Sequence, residues 1–535
     1  MATLFSTLSS QEVYIMNVNP ILLEVFKNRF AAISEEMGVT LTRTAFSPNI
    51  KERRDLSCAV FDSKGDMIAQ AAHIPVHLGS MPLSVKSAIE SSDFAEGDMV
   101  MLNDPFKGGT HLPDITLVAP VFCDGSDKPS FYVANRAHHS DVGGMASGSM
   151  PLSTTLYQEG IIIPPVKIVE SGEIVSGVMD LILNNVRTPV EREGDFSAQI
   201  MANMTGVRRL VELISKYGLE KVGFYASSLN DYAESITRKT IERIPDGIYK
   251  FTDYMDGDGM DCVNVPVSVT MEIKGDSAKL DFTASGDQVS GSVNAVRSIT
   301  LSAVLYVFRS LIEGDVPTNA GILRPIEIIT RKGSILDANF PAAVAGGNVE
   351  TSQRVVDVVL GALAEAIPQQ IPAASQGTMN NMTIGGIDER TGRPFAYYET
   401  LAGGMGASAT CRGEHATHSH MTNTLNTPVE ALEYSYPFRV KTYCIRQNTG
   451  GAGKIPGGDG LVREIELLSS CEITVLSERR VNAPYGLQGG GSGTPGRNVL
   501  IRDGKEIEQP GKFHTPLKKG DIIRMETPGG GGWGK

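Results

Sequence analysis

The stretch GGTHLPDITLVAPVFCDGSDKPSFYVANRAHHSDVGG, residues 108–144, contains two apolar runs, 115–122 and 131–137, separated by the turn-forming Asp124-Gly125-Ser126-Asp127-Lys128. Two such runs around a Gly-containing loop predict an antiparallel hairpin. If Cys123 faces Pro129, facing residue numbers sum to 252, and Asp114 lies opposite His138. Facing Cβ atoms are ~5 Å apart, so the carboxylate and the imidazole share one face. Side chains alternate along a strand, which sends His139 to the other face. His111 lies one turn upstream, in a Gly-Gly-Thr-His-Leu-Pro loop from which its ring can fold back toward Asp114. Two imidazoles and a carboxylate suit Zn²⁺, Mn²⁺ or Fe²⁺ with one position left open for water. His111, Asp114 and His138 are therefore candidate catalytic and metal-binding residues. The alternative is that the two histidines are satisfied polar groups at strand ends, because a slip of one residue breaks the pairing.

Working outward, Asn19-Pro20 followed by ILLEVFKNRFAAISEEM predicts a helix with Pro in its first turn, since Leu22, Val25, Phe26 and Phe30 recur at helical spacing. LSCAVFDSKGDMIAQAA predicts a second hairpin about Ser63-Lys64-Gly65-Asp66. A short helix near 82–91 and a strand at 98–103 lie between the two hairpins. Long amphipathic helices are expected over about 194–245, strands over 248–284, and apolar helices over 296–313 and 352–366. Beyond 430 the pattern is β-rich and punctuated by glycine. Gly totals 57 of 535 residues, above the usual ~7%. The expected class is α+β and multi-lobed, with mixed and antiparallel sheets, a central helical segment and a Gly-rich C-terminal region. The expected regions are a β-rich one with the metal candidates at 1–190, a helical lobe at 191–247, an α+β region at 248–430 and a β-rich one at 431–535.

At 535 residues the chain exceeds what one core normally organises. Lys plus Arg number 48 against 61 Asp plus Glu, a net charge of −13, which repels phosphate backbones and anionic lipid. No nucleic-acid or membrane partner is expected. The start, MATLFSTLSSQEVYIMNVNP, has no basic region ahead of an apolar run and does not resemble a secretory leader. The six cysteines are scattered without a C-x-x-C pair, so free thiols and a cytoplasmic location are expected.

Further histidines invite a metal reading and each has a blander one. In HIPVHLG, His73 and His77 are four apart, but Pro75 between them argues against a regular helix. They are read as structural or substrate-facing, as are His418 and His420. In CRGEHATHSHMTNT, Cys411, Glu414, His415, His418 and His420 form the densest group of potential ligands, though such loops more often organise their own hydrogen bonds. GGAGKIPGG, 450–458, suggests a phosphate loop, yet Asn448 stands where the first Walker glycine belongs and Ile455 follows Lys454. A turn is the better reading. No G-x-S-x-G elbow is present.

Eight ordered runs are similar to signature blocks of the hydantoinase B/oxoprolinase family: SPNIKERRDLSCAVFD (47–62), HIPVHLGSMP (73–82), LNDPFKGGTHLPD (102–114), ANRAHHSDVGG (134–144), HSHMTNTLNTPVEALE (418–433), RQNTGGAGKIPGGDGLVREIE (446–466), SERRVNAPYGLQGGG (477–491) and TPGGGGWG (527–534). The resemblance implies a metal-bearing subunit of an ATP-dependent enzyme that opens a lactam, 5-oxoproline or hydantoin ring. ATP, with Mg²⁺, would be bound by a separate hydantoinase A-type subunit in a heterodimer or heterotetramer. The alternative it implies is a ketone carboxylase of the acetone or acetophenone type, with bicarbonate as co-substrate. In acetone carboxylase the equivalent subunit holds manganese through Glu, His, Asp and His. By motif match these are Glu52, His111, Asp114 and His138, and Glu52 rests on the resemblance alone.

Overall fold

The computed structural model describes residues 18–535 apart from 72 and 124. The first 17 residues, read above for a leader, and Asp124 of the hairpin turn lie outside the described residues. The first helix, α1 (Pro20–Thr44), begins where the side chain of Asn19 accepts from the N–H groups of Ile21 and Leu22, the usual way of satisfying first-turn donors. Phe26, Phe30, Ile33, Met37 and Leu41 form its buried stripe. The short α2 (Pro48–Lys51) leads into the hairpin of β1 (Leu56–Asp62) and β2 (Met67–Gln70). Its turn is tied by the Asp62 carboxylate, which accepts from the N–H groups of Lys64 and Asp66, and Gly65 takes φ +78°. Then come α3 (Met81–Ser91), β3 (Met99–Leu102), β4 (Asp114–Val121), β5 (Phe131–His138), β6 (Val166–Glu170) and β7 (Glu173–Ile174).

These strands form one seven-stranded sheet in the order β2-β1-β5-β4-β3-β6-β7. After α4 (Ser176–Leu183), the long α5 (Pro189–Tyr217) and α6 (Leu219–Ile241) complete a helical layer. Both α1 and α5 pack on one face of the sheet, and α3 covers the other. Alternation decides which residues go where. Ile115, Leu117, Val133 and Ala137 join the core under α1 and α5, whereas Ala59, Phe61, Val118 and Ala134 join the cluster under α3.

A four-stranded sheet, β11-β10-β9-β8, follows from β8 (Gly247–Gly257), β9 (Val263–Lys274), β10 (Ser277–Asp281) and β11 (Ile326–Ile329). The helix α7 (Arg297–Leu311) pairs with α8 (Ser352–Ala366), which lies on β8 and β9. A π-helical turn, Gly347–Thr351, runs into α8. Beyond it come β12 (Asn381–Asp388), β13 (Arg393–Glu399), α9 (Val429–Ser435), β14 (Phe438–Arg446), β15 (Gly460–Leu467), β16 (Cys471–Leu476), β17 (Arg497–Arg502), β18 (Lys505–Gln509), β19 (Lys512–Leu517) and β20 (Ile522–Glu526). They make two sheets, β13-β12-β16-β19 and β14-β15-β20-β17-β18, so strands on both sides of residue 430 share the first of these. The class is α+β with several mainly antiparallel sheets.

The glycine clusters build a layer in which backbones touch. A Cβ on Gly457 would lie 2.1 Å from the Gly530 carbonyl oxygen, and one on Gly530 would lie 2.1 Å from that of Met405. The N–H groups there are committed: Gly451 donates to Gly530, Gly530 to Gly458 and Gly458 to Met405, at 2.8, 2.9 and 2.8 Å. The 450–458 run therefore has few free N–H groups with which to cradle a phosphate, in keeping with its reading as a turn. No helix among the described residues is long and apolar enough to cross a membrane. The glycine layer predicts that Gly457→Ala destabilises the fold by about 1–3 kcal/mol through overpacking. Gly223→Ala, in α6 with nothing within 4 Å of the added Cβ, is the control and should gain up to about 1 kcal/mol of helix preference. Urea unfolding of the two variants checks both signs.

Candidate metal centre

Strand β5 lies between β1 and β4, and its register aligns one polar row across three strands. Asp114 pairs with His138, as the hairpin count expects. On the other side Leu56 pairs with Ala137, and the His138 N–H donates to the Asp55 carbonyl at 3.0 Å. Asp55, His138 and Asp114 thus stand side by side at the end of the face that α3 covers. The next row on that face is Ser57, Arg136 and Thr116. The Arg136 guanidinium is buried and donates to Thr116, Ser80 and Ser84 hydroxyls at 2.8, 2.5 and 2.7 Å. Burial pulls its pKa down to about 10.

The 108–113 loop brings His111 onto this row. His111 Nε2 is 3.1 Å and His138 Nδ1 3.2 Å from Asp114 Oδ1, and the two ring nitrogens are 3.2 Å apart. Thr110 Oγ1 donates to Asp114 Oδ2 at 2.6 Å, and His77 Nε2 approaches the same oxygen at 3.3 Å. Burial opposes ionisation of Asp114, but the charges of His111 and His77 and hydrogen bonds from His111 and His138 hold its carboxyl well below the usual range. Burial lowers the pKa of His138, which favours the neutral imidazole that metals bind. His111, Asp114 and His138 are all buried, with ligand atoms within 4.8 Å of one another. His138 Nε2 and Asn348 Oδ1 are buried without a hydrogen-bond partner among the described residues. Each such orphan costs about 1–3 kcal/mol unless a ligand or ion satisfies it. Two borderline imidazoles and a hard carboxylate converging in this way fit a divalent transition-metal ion.

The other sequence candidates are distributed differently. Glu52 caps the short α2 and is absent from the wall of the cavity beside the ligands, which Asp55 lines together with His77, Asp114 and His138. Of the two carboxylates of this segment, Asp55 borders the cavity and Glu52 does not. Arg54 adopts φ +56°, and this turn delivers Asp55, not Glu52, to the start of β1. His77 belongs to the constellation: it is fully buried and its Nδ1 is 2.9 Å from Ser57 Oγ. His73 accepts from the Cys58 N–H at 3.1 Å, and burial lowers its pKa to about 4. His139 points the other way, 3.0 Å from Gln199 and with its ring 4.7 Å from that of Phe196 on α5.

The 411–420 group does not converge. Cys411 and His415 are exposed, and His415 accepts from the Asp459 N–H at 2.8 Å. His418 and His420 are depressed by burial to about 3 and about 4, and His420 Nδ1 lies 3.5 Å from the Tyr306 hydroxyl. Sequence reasoning missed Asp55, Asn348, Tyr398 and the threonines Thr400, Thr422 and Thr424, all of which line the cavity. Asn348 Nδ2 is 3.0 Å from His111 Nε2, and Tyr398 stacks on the His138 ring at 4.4 Å. Their only sequence signal was membership of a signature run, SPNIKERRDLSCAVFD for Asp55 and HSHMTNTLN for Thr422 and Thr424.

The family model for hydantoinase B/oxoprolinase matches residues 19–535. The chain is 41% identical over 97% of its length to a 5-oxoprolinase of Dictyostelium discoideum, and it spans 40% of that longer protein. It is similar to the crystal structure of the ATP-dependent caprolactamase of Pseudomonas jessenii, with TM-score 0.90 and 29% identity, covering 97% of this chain and 92% of that one. Acetone carboxylase in its nucleotide-free form shares the fold, with TM-score 0.90 at 18% identity over 96% of this chain and 76% of its own. With the family model matching from residue 19 to residue 535, this chain belongs to the hydantoinase B/oxoprolinase family.

Proposed function

We propose that this chain is the metal-bearing half of an ATP-dependent hydrolase that opens a cyclic amide, working with a hydantoinase A-type subunit that binds ATP. The observation that carries the proposal is the buried His111–Asp114–His138 group, in a chain similar over its length to an ATP-dependent caprolactamase and to 5-oxoprolinases. His111, Asp114, His138 and Asp55 are the residues that would hold the ion. The ion would polarise a carbonyl oxygen or lower the pKa of bound water. Asp114 keeps its charge at neutral pH, His138 stays neutral, and the narrow cavity excludes bulk water. An amide carbonyl is a poor electrophile, which is why ATP is required: phosphorylation supplies a leaving group that the amide lacks.

Supporting the division of labour, the one run resembling a phosphate loop is spent in the glycine layer. The purified chain should not bind ATP at micromolar concentration, and ring opening should need the second subunit. Calorimetry on the isolated chain, and a lactam, 5-oxoproline and hydantoin panel assayed with and without a hydantoinase A-type partner, test this. Turnover that requires bicarbonate and a ketone would favour carboxylation instead.

Metal content should separate the two adjacent histidines. His138→Ala should lose the ion and at least ~10²-fold in turnover, as expected when a ligand of a catalytic ion is removed. His139→Ala should keep the ion, because its ring faces α5. Elemental analysis that finds metal in both variants would sink the site.

The same measurement distinguishes the two candidate carboxylates. Asp55→Ala should lower metal occupancy by ~10-fold or more, and Glu52→Gln should leave it unchanged. The reverse result would restore the motif-based assignment.

A further inference from the structure

The cavity beside the ligand row is small, about 20 Å³, room for a single oxygen-sized group. Thr400, Thr422 and Thr424, 1%, 3% and 4% exposed, line it together with the apolar Ile74, Val76, Val349, Met379 and Met421. Behind them Arg53, fully buried, donates through Nη2 to Thr400 Oγ1 at 2.8 Å and to Thr424 Oγ1 at 3.5 Å. Thr400 and Thr424 oxygens are 2.9 Å apart, and Thr422 and Thr424 oxygens 3.5 Å.

Proton bookkeeping gives this chain a direction. A guanidinium only donates, whereas a hydroxyl brings one proton and accepts others. Three threonines bring three protons, and the two links between them use two. No acceptor for the third is present among the described residues. Pointing it at the Arg53 charge is the least favourable arrangement, and Thr424, which already accepts from Arg53, has too few lone pairs to accept from both neighbours as well, so the chain runs from Thr400 to Thr424 to Thr422. The Thr422 O–H is then left to donate into the cavity, strengthened by the charged donor at the other end of the chain.

We infer that Thr422 is the hydrogen-bond donor to the oxygen of the acyl group under attack, with Arg53, Thr400 and Thr424 as positioning residues. The inference rests on the cyclic-amide reading above. In the step concerned, a nucleophilic oxygen bonds to the carbonyl carbon of the acyl phosphate that remains after ATP has phosphorylated the amide oxygen, water has added and the ring C–N bond has broken with a proton delivered to nitrogen. The carbonyl π pair moves onto the carbonyl oxygen. That pair returns when the C–O bond to phosphate breaks, and the phosphate leaves with the bonding pair. Thr422 gives up no proton; it stabilises the oxygen while the oxygen carries the charge. A preorganised donor aimed at such an oxygen is typically worth ~10²–10³ in turnover.

Thr422→Val keeps the shape and removes the donor, and Thr422→Ser keeps the donor. With the partner subunit present, Thr422→Val should lower kcat by ~10²-fold or more and leave KM within about threefold, as for an interaction made only in the transition state. Thr422→Ser should recover most of the loss. Metal content should match the wild type in both variants. Fluoride serves as a substrate-free probe of an oxygen-sized anion: the Mn²⁺-loaded Thr422→Val chain should bind it ~10-fold more weakly by calorimetry. Equal fluoride affinity in wild type and Thr422→Val, metal loss in Thr422→Val, or a Ser variant as damaged as the Val variant would each overturn the inference. If the wild type opens no cyclic amide, the functional reading falls while the fluoride comparison still decides the role of Thr422.

Discussion

Everything at the centre depends on the hydrogen-bonded position of β5 between β1 and β4. Because strand side chains alternate with a period of two, one register sends Asp55, His138 and Asp114 to the same end of the same face, and a slip of one residue would scatter them. The apolar rows below, Ala59, Ala134 and Val118 on one side and Val133, Leu117 and Ala137 on the other, hold that register, since a slip would turn each of them toward the wrong layer. The polar row is therefore placed by apolar burial several residues away. Arg136 adds an electrostatic constraint. Its guanidinium is satisfied by three hydroxyls and leaves its charge to balance the Asp114 carboxylate of the row above. Burying the Asp114 carboxylate would be costly without a positive field of this kind.

What the sequence made legible follows the reach of local signals. The two hairpins, the Asn19-capped α1 and the long helices of the middle region depend on turn residues and periodicities within a few residues of each other, and each is present. The facing of Asp114 and His138 was legible because the hairpin turn fixes a register by counting. The place of Asp55 was not, because it depends on β1 pairing with β5 across about eighty residues and on the left-handed turn at Arg54. No local pattern records that pairing, and the motif match pointed at Glu52. His77 was half visible: its partner Ser57 lies on β1, twenty residues upstream, and only the fold brings it against Asp114. The 411–420 cluster misled in the opposite direction, its chemical density in sequence dispersing into separate hydrogen bonds.

The cavity joins two halves of the chain. The ligand row comes from the N-terminal sheet, and the opposite wall comes from residues 398–424. Arg53 spans the junction, donating to the Tyr398 carbonyl at 3.2 Å and to the Thr400 hydroxyl, while its own carbonyl accepts from the Leu425 N–H at 3.0 Å. The residue two places before Asp55 thus clamps the distal wall, so row and wall cannot shift independently.

The glycine layer extends this clamp. The segment bearing Thr400 continues into Gly404 and Gly406, where a Cβ would lie 2.0 Å from the Gly458 carbonyl oxygen and 1.8 Å from that of Ala373. Contacts this close let the backbone hydrogen-bond continuously without side chains to part the strands, at the price of tolerating no substitution. Such rigidity suits a site whose chemistry depends on donors fixed before charge develops, since reorganising them during the reaction would cost the free energy they supply. A flexible loop could present the same three hydroxyls, but its proton chain would have no fixed direction. Held between Arg53 on one side and backbone packed against backbone on the other, the threonine wall keeps one orientation relative to the Asp55–His138–Asp114 row.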